Sequence, residues 1–275
     1  MVWHIRQNSL CLVCLGQRLH RADNGGLAMM HHIDLCSGIG GFSLGFQQAG
    51  LSKPVLFCDT DAWCRKVLAK HWPDVQIAED VKELANDPDG LVPDCNILTA
   101  GYPCPPFSLA SRNRKGEADE RHIWPYIRTI ISAKHPDWLV FENVRGHISL
   151  GLATVLNDLS KENYTAIPLL LPAFCVGAIH ERARVYIVAY ANDRGSAVRW
   201  DRQFQEDAEA MRCRDNRRER APEFDTRQWR KIKSRPYGVA HGVSRRVDRL
   251  KGLGNAIVPQ IAQRIGETIK KAEGL

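Results

Sequence analysis

The sequence predicts an α/β fold built on a doubly wound sheet, and three observations support this. Short apolar segments alternate with amphipathic helical segments between residues 31 and 190. The first apolar segment runs directly into a glycine-rich turn at residues 37–41. Acidic residues follow the ends of later apolar segments. This order is typical of a mostly parallel sheet covered by helices, with ligands bound beyond the carboxyl ends of the strands.

Local signals set the bounds of the predicted elements. The helix after the glycine turn continues through Ala49 and ends at Gly50, since glycine favours helix C-termini. The helix at 61–71 ends before Trp72 and Pro73, because proline cannot continue a helix. The other predicted elements are strands at 31–36, 54–58, 95–99, 138–141, 164–170 and 184–189, and helices at 123–133, 151–159 and 257–270.

The net charge of +7 is concentrated in one part of the chain. Residues 1–190 contain 18 basic and 19 acidic side chains, whereas residues 191–251 contain 17 and 10. The alternating pattern also breaks near Tyr190, and residues 191–240 are polar and rich in arginine. Such a segment favours an anionic partner, although a solvated loop rich in arginine has the same composition.

The composition is that of an ordinary globular protein, with 44% hydrophobic and 25% charged residues. The sequence has neither the ~20-residue apolar run of a membrane span nor a clean signal-peptide core, so we expect a cytoplasmic protein. Its nine cysteines are odd in number and irregularly spaced, which favours reduced thiols over a disulfide framework.

The glycine turn and two later acids indicate an adenosyl cofactor. Glycines at a strand-to-helix turn allow the backbone to approach a ligand closely. Asp59 ends the second strand, where a doubly wound fold holds a ribose diol, and Asp80 is placed to accept a hydrogen bond from an adenine amino group. The strict G-x-G-x-x-G spacing is absent, which disfavours a dinucleotide. A turn that only packs a helix onto the sheet is the alternative.

Three further motifs carry reactive side chains. Cys104 lies in a proline-rich loop after the strand at 95–99, and its thiol needs an electropositive environment to act as a nucleophile. Glu142 follows the strand at 138–141 and is a general acid if burial raises its pKa. Arg182 and Arg184 face one way on an extended segment, where they suit a phosphate or a base carbonyl. Taken singly, a rigid proline turn with an incidental thiol is the favoured explanation of Cys104, and a surface pair at a hairpin is the favoured explanation of Arg182 and Arg184.

Taken together and in this order, the segments resemble the DNA cytosine-5 methyltransferase family of the bacterial or phage type. Pro103-Cys104 resembles the catalytic Pro-Cys of that family, and Glu142-Asn143-Val144 resembles its Glu-Asn-Val signature. His180-x-Arg182-x-Arg184 resembles its Gln/His-x-Arg-x-Arg block. Residues 34–41 resemble the cofactor glycine loop, and residues 254–259 resemble the late Gly-Asn block that completes the cofactor pocket.

The resemblance implies a Rossmann-like, S-adenosylmethionine-dependent methyltransferase sheet with a small target recognition region. We expect residues 1–29 to be an N-terminal extension that is disordered or not native. The other expected parts are a catalytic and cofactor-binding domain at 30–190, a target recognition region at 191–245, and a C-terminal segment at 246–275 that returns to the catalytic domain. We expect a monomer that binds double-stranded DNA, with a cognate restriction endonuclease as a partner in the same system.

The implied reaction transfers a methyl group from S-adenosylmethionine to carbon 5 of a flipped-out cytosine in a specific double-stranded DNA sequence. The catalytic residues would be Cys104 as nucleophile, Glu142 as acid, Arg184 on the base carbonyl and Arg182 nearby. The cofactor-binding residues would be Asp34, Cys36, Gly38, Gly40, Gly41, Asp59, Thr60, Asp80, Val81, Pro103, Asn255 and Ile257. The DNA-binding residues would be Ser108, Arg182, Arg245, Arg246 and Arg249, and no metal is expected.

Three positions depart from the family pattern, and three alternatives stay open. Cys36 stands where the family usually has Phe, Asp59 where Glu is commoner, and Pro105 where Gln is common. One alternative is an amino methyltransferase, because residues 104–107 superficially resemble the Asp/Asn-Pro-Pro-aromatic motif of that class. The others are an RNA cytosine-5 methyltransferase and a DNA-binding relative without catalysis.

Overall fold

The computed structural model describes residues 29–103, 123–178, 182–193, 248, 252 and 254–275. Seven strands in this part of the chain form one sheet. They are β1 (Met30–Leu35), β2 (Ser52–Cys58), β3 (Gln76–Ala78), β4 (Ile97–Ala100), β5 (Trp138–Val144), β6 (Tyr164–Leu171) and β7 (Arg184–Ala191). The α-helices described are α1 (Gly41–Gln48), α2 (Ala62–His71), α3 (Val81–Asn86), α4 (Pro88–Leu91), α5 (Trp124–Lys134), α6 (His147–Leu150), α7 (Leu152–Lys161) and α8 (Pro259–Glu273).

The sheet has the order β3-β2-β1-β4-β5-β7-β6. The pairs among β1 to β5 are parallel, whereas β7 is antiparallel to both β5 and β6. The direction in which strands are added reverses between β1 and β4. An open α/β sheet forms a crevice beyond the carboxyl ends of the strands at such a reversal. This topology therefore places a ligand site at the ends of β1 and β4.

The structure confirms the predicted α/β fold and all the predicted strands and helices, with ends that differ by up to three residues. It adds β3, α3, α4 and α6, which have three to six residues and are too short for a periodic signal. The antiparallel β6–β7 pair is also new. Among the described residues, no helix is long and apolar enough to cross a membrane. Among the described cysteines, Cys36, Cys58, Cys64 and Cys95 are free thiols, whereas Cys175 is disulfide-bonded.

Two apolar cores lie on opposite faces of the sheet, as a doubly wound fold requires. On one face, Ile127 and Ile131 of α5 pack with Leu139 of β5. On the other face, Phe46 of α1 and Ile265 of α8 pack with the strands. Helices α1 and α8 approach closely because Gly45 faces α8, where an added Cβ would lie 2.4 Å from the Pro259 carbonyl oxygen. Helix α8 therefore covers the same face as the helix that follows the glycine turn.

Four buried polar side chains form a closed hydrogen-bonded ring between β1, α1 and β4. Thr99 Oγ1 lies 2.7 Å from Asp34 Oδ1, and Ser43 Oγ lies 3.0 Å from Asp34 Oδ2. The other side of the ring is His32, with Nε2 2.8 Å from Thr99 Oγ1 and Nδ1 3.4 Å from Ser43 Oγ. The ring fixes the start of α1, and with it the glycine turn, against the two strands at the crevice.

Burial determines the protonation states of Asp34 and His32 in this ring. It raises the pKa of Asp34 to about 7 and lowers the pKa of His32 to about 3, so both groups are neutral at mildly acidic pH. The Ser43 and Thr99 hydroxyl groups donate to the two oxygens of Asp34, and each hydroxyl oxygen also lies within hydrogen-bond distance of a ring nitrogen of His32. Every polar side-chain atom of the buried ring therefore has a polar partner.

We predict that Asp34→Asn gains stability relative to the wild type as pH rises from about 4 to about 7. The raised pKa means that Asp34 contributes fully below its unfolded pKa and loses that contribution as pH rises through 7. Asn keeps the ring neutral, so the difference should reach about 1–4 kcal/mol at pH 8. Urea unfolding at pH 5 and pH 8 measures it, with the exposed Asp74→Asn as control. Equal differences at both pH values would contradict a raised pKa.

Candidate active site

A cavity of about 380 Å³ opens at the carboxyl ends of β1, β4 and β5. This is the crevice that the reversal of strand order predicts. The structure brings together in its walls predicted residues from distant parts of the sequence, namely Cys36, Gly38, Asp59, Thr60, Pro103, Glu142, Arg182, Arg184 and Asn255. A second cavity of about 190 Å³ shares Cys36, Asp59 and Thr60 and adds the predicted residues Asp80 and Val81.

Asp59 is held at the junction of the two cavities by backbone donors. The Gly38 amide donates to Asp59 Oδ2 at 2.7 Å, and the Asp61 amide donates to Oδ1 at 2.8 Å. Burial raises the pKa of Asp59, while these two hydrogen bonds lower it. Gly38 has a φ of 55°, in the left-handed region that glycine adopts without strain. Each carboxylate oxygen keeps room for a second donor, as binding of a diol requires.

Four residues predicted to bind the cofactor, namely Asp34, Gly40, Gly41 and Ile257, do not line either cavity. The Asp34 carboxyl group lies in the buried ring, with Thr99 and Ser43 on its two oxygens. A Cβ on Gly41 would lie 2.7 Å from Ile257 Cβ, and a Cβ on Gly40 would lie 2.6 Å from the Trp72 ring. Close packing of the glycine turn against its neighbours therefore accounts for Gly40, Gly41 and Ile257.

Glu142 and Arg184 form a buried ion pair at the end of β5. Arg184 Nε lies 3.1 Å from Glu142 Oε1, and Glu142 is only 8% exposed. Burial raises the pKa of Glu142 to about 7, although Arg184 and Arg182 both oppose this shift. The antiparallel register of β5 and β7 brings the two side chains together, since Glu142 pairs with Tyr186 and Val144 with Arg184. The pair supplies a carboxyl group that can exchange a proton near neutral pH.

Part of the predicted site lies outside the described residues. This applies to Cys104, Ser108, Arg245, Arg246 and Arg249, to residues 1–28 of the N-terminal extension, and to residues 194–245 of the target recognition region. Pro103 is described and lies in the wall of the larger cavity, so the chain enters the segment with Cys104 from this cavity.

A sequence comparison decides the family. The family model described as C-5 cytosine-specific DNA methylase matches residues 30–218 of the chain. The chain belongs to this methylase family. The match begins with β1 and extends beyond β7, so it includes both the glycine turn and the Glu142–Arg184 pair.

Individual relatives of the methylase agree with this assignment over part of their length. The chain is 30% identical over 171 residues to the Type II methyltransferase M2.BsuMI of Bacillus subtilis (strain 168), covering 58% of the chain and 42% of that protein. It is 33% identical over 163 residues to the Type II methyltransferase M.HaeII of Haemophilus aegyptius, covering 58% of the chain and 49% of that protein. The chain thus spans less than half the length of either curated relative.

Solved structures share the fold of the methylase at low sequence identity. The S. pombe Dnmt2 methyltransferase matches with a TM-score of 0.63 and 16% identity, over 90% of this chain and 100% of that chain. A Spodoptera frugiperda DNMT2 mutant matches with a TM-score of 0.52 and 22% identity, over 60% of this chain and 51% of that chain. These similarities support the Rossmann-like methyltransferase sheet predicted from the sequence.

Arg182 makes two hydrogen bonds to the backbone of the C-terminal segment. Its Nη1 donates to the Gly254 carbonyl at 2.6 Å, and its Nη2 donates to the Ala256 carbonyl at 2.8 Å. The guanidinium group therefore ties the C-terminal segment to the cavity. The phosphate or base contact expected for Arg182 stays a prediction, since this residue also lines the larger cavity, and Arg184 is the arginine that pairs with Glu142.

The sequence did not indicate several polar residues that shape the site. Ser43 and Thr99 hold Asp34, and Asn143 Nδ2 donates at 3.2 Å to the carbonyl of Tyr102, two residues before Cys104. The sequence feature that could have indicated such residues is a polar residue inside an apolar segment, such as His32 in β1 or Thr99 in β4. Such a residue needs a buried partner, but the sequence does not identify which one.

We predict that Arg182→Lys loosens the C-terminal segment. A lysine ammonium cannot reproduce the fork that reaches two carbonyl groups, so at least one charged hydrogen bond is lost. The free energy of unfolding should fall by about 1–3 kcal/mol, and amide hydrogen exchange should accelerate at residues 254–258. The exposed Arg264→Lys in α8 is the matched control. Unchanged exchange at 254–258 would show that Arg182 does not hold this segment.

Proposed function

We propose that the methylase transfers a methyl group from S-adenosylmethionine to carbon 5 of a cytosine flipped out of a specific double-stranded DNA sequence. The reaction proceeds through a covalent bond between Cys104 and carbon 6 of the base. The observation that carries the proposal is the buried Glu142–Arg184 pair in the cavity that Pro103 lines. The family and the Type II methyltransferase relatives support both the reaction and a role beside a cognate restriction endonuclease.

The two adjoining cavities fit an adenosyl cofactor with a substituent. Asp59 lies where they meet, with its carboxylate oriented by the Gly38 and Asp61 amides, so it would hold the ribose diol. Asp80 and Val81 lie in the smaller cavity and would hold the adenine. The larger cavity continues to Glu142 and Pro103, where the reacting base would lie. S-adenosylmethionine supplies an electrophilic methyl group on a sulfonium sulfur when it is bound.

Glu142 and Arg184 would activate the base. Carbon 5 of cytosine is a poor nucleophile, so the ring must first gain electron density. The Cys104 thiolate adds to carbon 6, and protonated Glu142 donates its proton to ring nitrogen 3, which prevents negative charge from accumulating there. Arg184 uses Nε on Glu142 and Nη1 on the Ala183 carbonyl, and its Nη2 suits the carbonyl oxygen of the base.

The remaining steps restore the aromatic ring. Carbon 5 has become enamine-like and takes the methyl group from the sulfonium sulfur, which would leave as a neutral thioether with the bonding electron pair. Ring nitrogen 3 then returns its proton to the Glu142 carboxylate. A base, which could be a water molecule, removes the proton from carbon 5, and the Cys104–carbon 6 bond breaks to release the thiolate. Flipping the base out of the duplex costs a few kcal/mol. Phosphate and base contacts made by the basic residues of 191–251 would offset that cost.

The alternative of an amino methyltransferase explains less of the site. Methylation of an exocyclic nitrogen needs an acceptor for the amino protons, and a cysteine at position 104 supplies one poorly. It also gives no role to the raised pKa of Glu142 or to its pairing with Arg184. The position of the methyl group, on carbon 5 or on nitrogen, separates the two reactions. Parallel assays with duplex DNA and RNA separate the proposal from an RNA cytosine-5 methyltransferase.

We predict that Cys104→Ser abolishes methyl transfer, because a serine hydroxyl is a far weaker nucleophile than a thiolate. Transfer of labelled methyl groups to DNA measures the activity. DNA that contains 5-fluorocytosine should trap a covalent adduct with the wild type but not with the variant. Cys95→Ala is the control, since Cys95 lies in the apolar core. Wild-type turnover by Cys104→Ser would end the nucleophile assignment.

We predict that Glu142→Gln lowers kcat by about 10²–10⁴-fold, the range expected for loss of a general acid. Because the pKa of Glu142 is raised to about 7, its active protonated form is present below pH 7 and is lost as pH rises through 7. The wild-type rate should therefore fall on the alkaline side near pH 7, and this limb should be missing in the variant. Glu267→Gln in α8 serves as control. The same alkaline limb in both enzymes would show that another group is responsible.

A further inference from the structure

Four buried rings lie together beneath the strand ends that carry the site. Tyr102 and Trp124 have ring centroids 5.7 Å apart, and both pack against Phe141, at 6.1 Å and 5.4 Å. The His147 ring lies 5.7 Å from Tyr102 in an edge-to-face arrangement. All four residues are at most 4% exposed. We call Tyr102, Trp124, Phe141 and His147 the aromatic clasp.

The aromatic clasp holds Tyr102 by three different parts of the residue. Its ring packs in the clasp, its hydroxyl group lies 3.0 Å from His147 Nε2, and its carbonyl accepts from Asn143 Nδ2. Asn143 is itself fixed, because its Oδ1 accepts from the Val144 amide at 2.9 Å. Phe141 and Asn143 are the two neighbours of Glu142 in β5. The residues that hold Tyr102 therefore also flank the carboxyl group of the site.

His147 is a neutral partner in this arrangement. Burial lowers the pKa of His147 to about 4, so the ring carries one N–H at neutral pH. Its Nδ1 is buried and has no partner among the described residues. Burying an unpaired lone pair is more readily tolerated than burying an unpaired N–H, so the proton belongs on Nε2, which donates to the Tyr102 oxygen. Gly151 leaves space for the ring, since a Cβ there would lie 2.7 Å from His147 Cε1.

We propose that His147 is a positioning residue which, through Tyr102, sets the approach to Cys104 relative to Glu142. This inference rests on the proposed function. Cys104 follows Tyr102 by two residues, and Pro103 between them has a fixed φ. A rotation of Tyr102 would therefore change the direction in which the chain leaves Pro103 toward the nucleophile. His147 touches neither substrate nor cofactor, and it acts by fixing the Tyr102 hydroxyl against β5.

The test compares the rate of the chemical step with cofactor binding. In Tyr102→Phe and His147→Phe, we expect kcat at saturating DNA and S-adenosylmethionine to fall about 10–100-fold, as a displacement near 1 Å can cause. The Kd for S-adenosylmethionine should stay within about twofold, because both substitutions remove the Tyr102–His147 hydrogen bond and leave Asp59 and Asp80 in place. The double variant should be no slower than either single variant, since both remove the same hydrogen bond.

Two further variants separate positioning from stability. Tyr164→Phe removes another buried tyrosine hydrogen bond, the one from Tyr164 Oη to the Pro136 carbonyl at 2.7 Å, far along the sheet from Cys104. It should lower the melting temperature as Tyr102→Phe does and leave kcat unchanged. Gly151→Ala should push the His147 ring aside and reproduce the kcat loss of His147→Phe. Circular dichroism confirms that each variant is folded at the assay temperature.

The outcomes distinguish this inference from the proposed function. If wild-type protein forms the adduct with 5-fluorocytosine DNA and the Tyr102 and His147 variants form it at the same rate, the positioning role of His147 is wrong and the function stands. A parallel rise in the Kd for S-adenosylmethionine would also overturn the positioning role. If the wild type forms no adduct, the proposed function itself fails.

Discussion

The hydrogen bond from Thr99 to Asp34 joins the two strands between which the order of the sheet reverses. Around it the ring closes through His32 and Ser43, so the first turn of α1 is bound to β1 and β4 at one point. The glycine turn leaves one of these strands, and the segment leading to Cys104 leaves the other. The ring is buried and each of its polar side-chain atoms has a polar partner, so it is rigid. It therefore fixes the ends of β1 and β4, which lead into the two walls of the cavity.

Burial raises the pKa of two carboxyl groups near the crevice to about 7, but only one of them faces the cavity. Asp34 is buried and satisfied by hydroxyl groups, so it supports structure without facing the cavity. Glu142 is buried beside an arginine and still has a pKa near 7, since desolvation outweighs the attraction of Arg184. A carboxyl group in the cavity with this pKa can give up a proton at neutral pH, whereas an exposed one would already be ionised.

Several functional assignments depended on the direction in which side chains point. Of the residues within 34–41 that were assigned to the cofactor, Cys36 and Gly38 line the cavities, whereas Asp34, Gly40 and Gly41 face neighbouring parts of the fold. Arg182 and Arg184 have the two-residue spacing that predicts a shared face, and both line the larger cavity. Arg182, which has a φ of 27°, also reaches the carbonyl groups of Gly254 and Ala256. No sequence motif pointed to His147, because its hydrogen-bond partner Tyr102 lies 45 residues away in the sequence.

The sequence by itself determined the order of strands and helices, the α/β class and the residue types available for the chemistry. These follow from apolar periodicity, turn residues and short motifs, which are local properties of the chain. The tertiary structure decided the antiparallel place of β7, the pairing of Glu142 with Arg184 and the closure of the buried ring. Each of these features joins residues that are distant in the sequence or depends on burial. A local sequence pattern predicts neither a long-range contact nor the desolvation of a side chain.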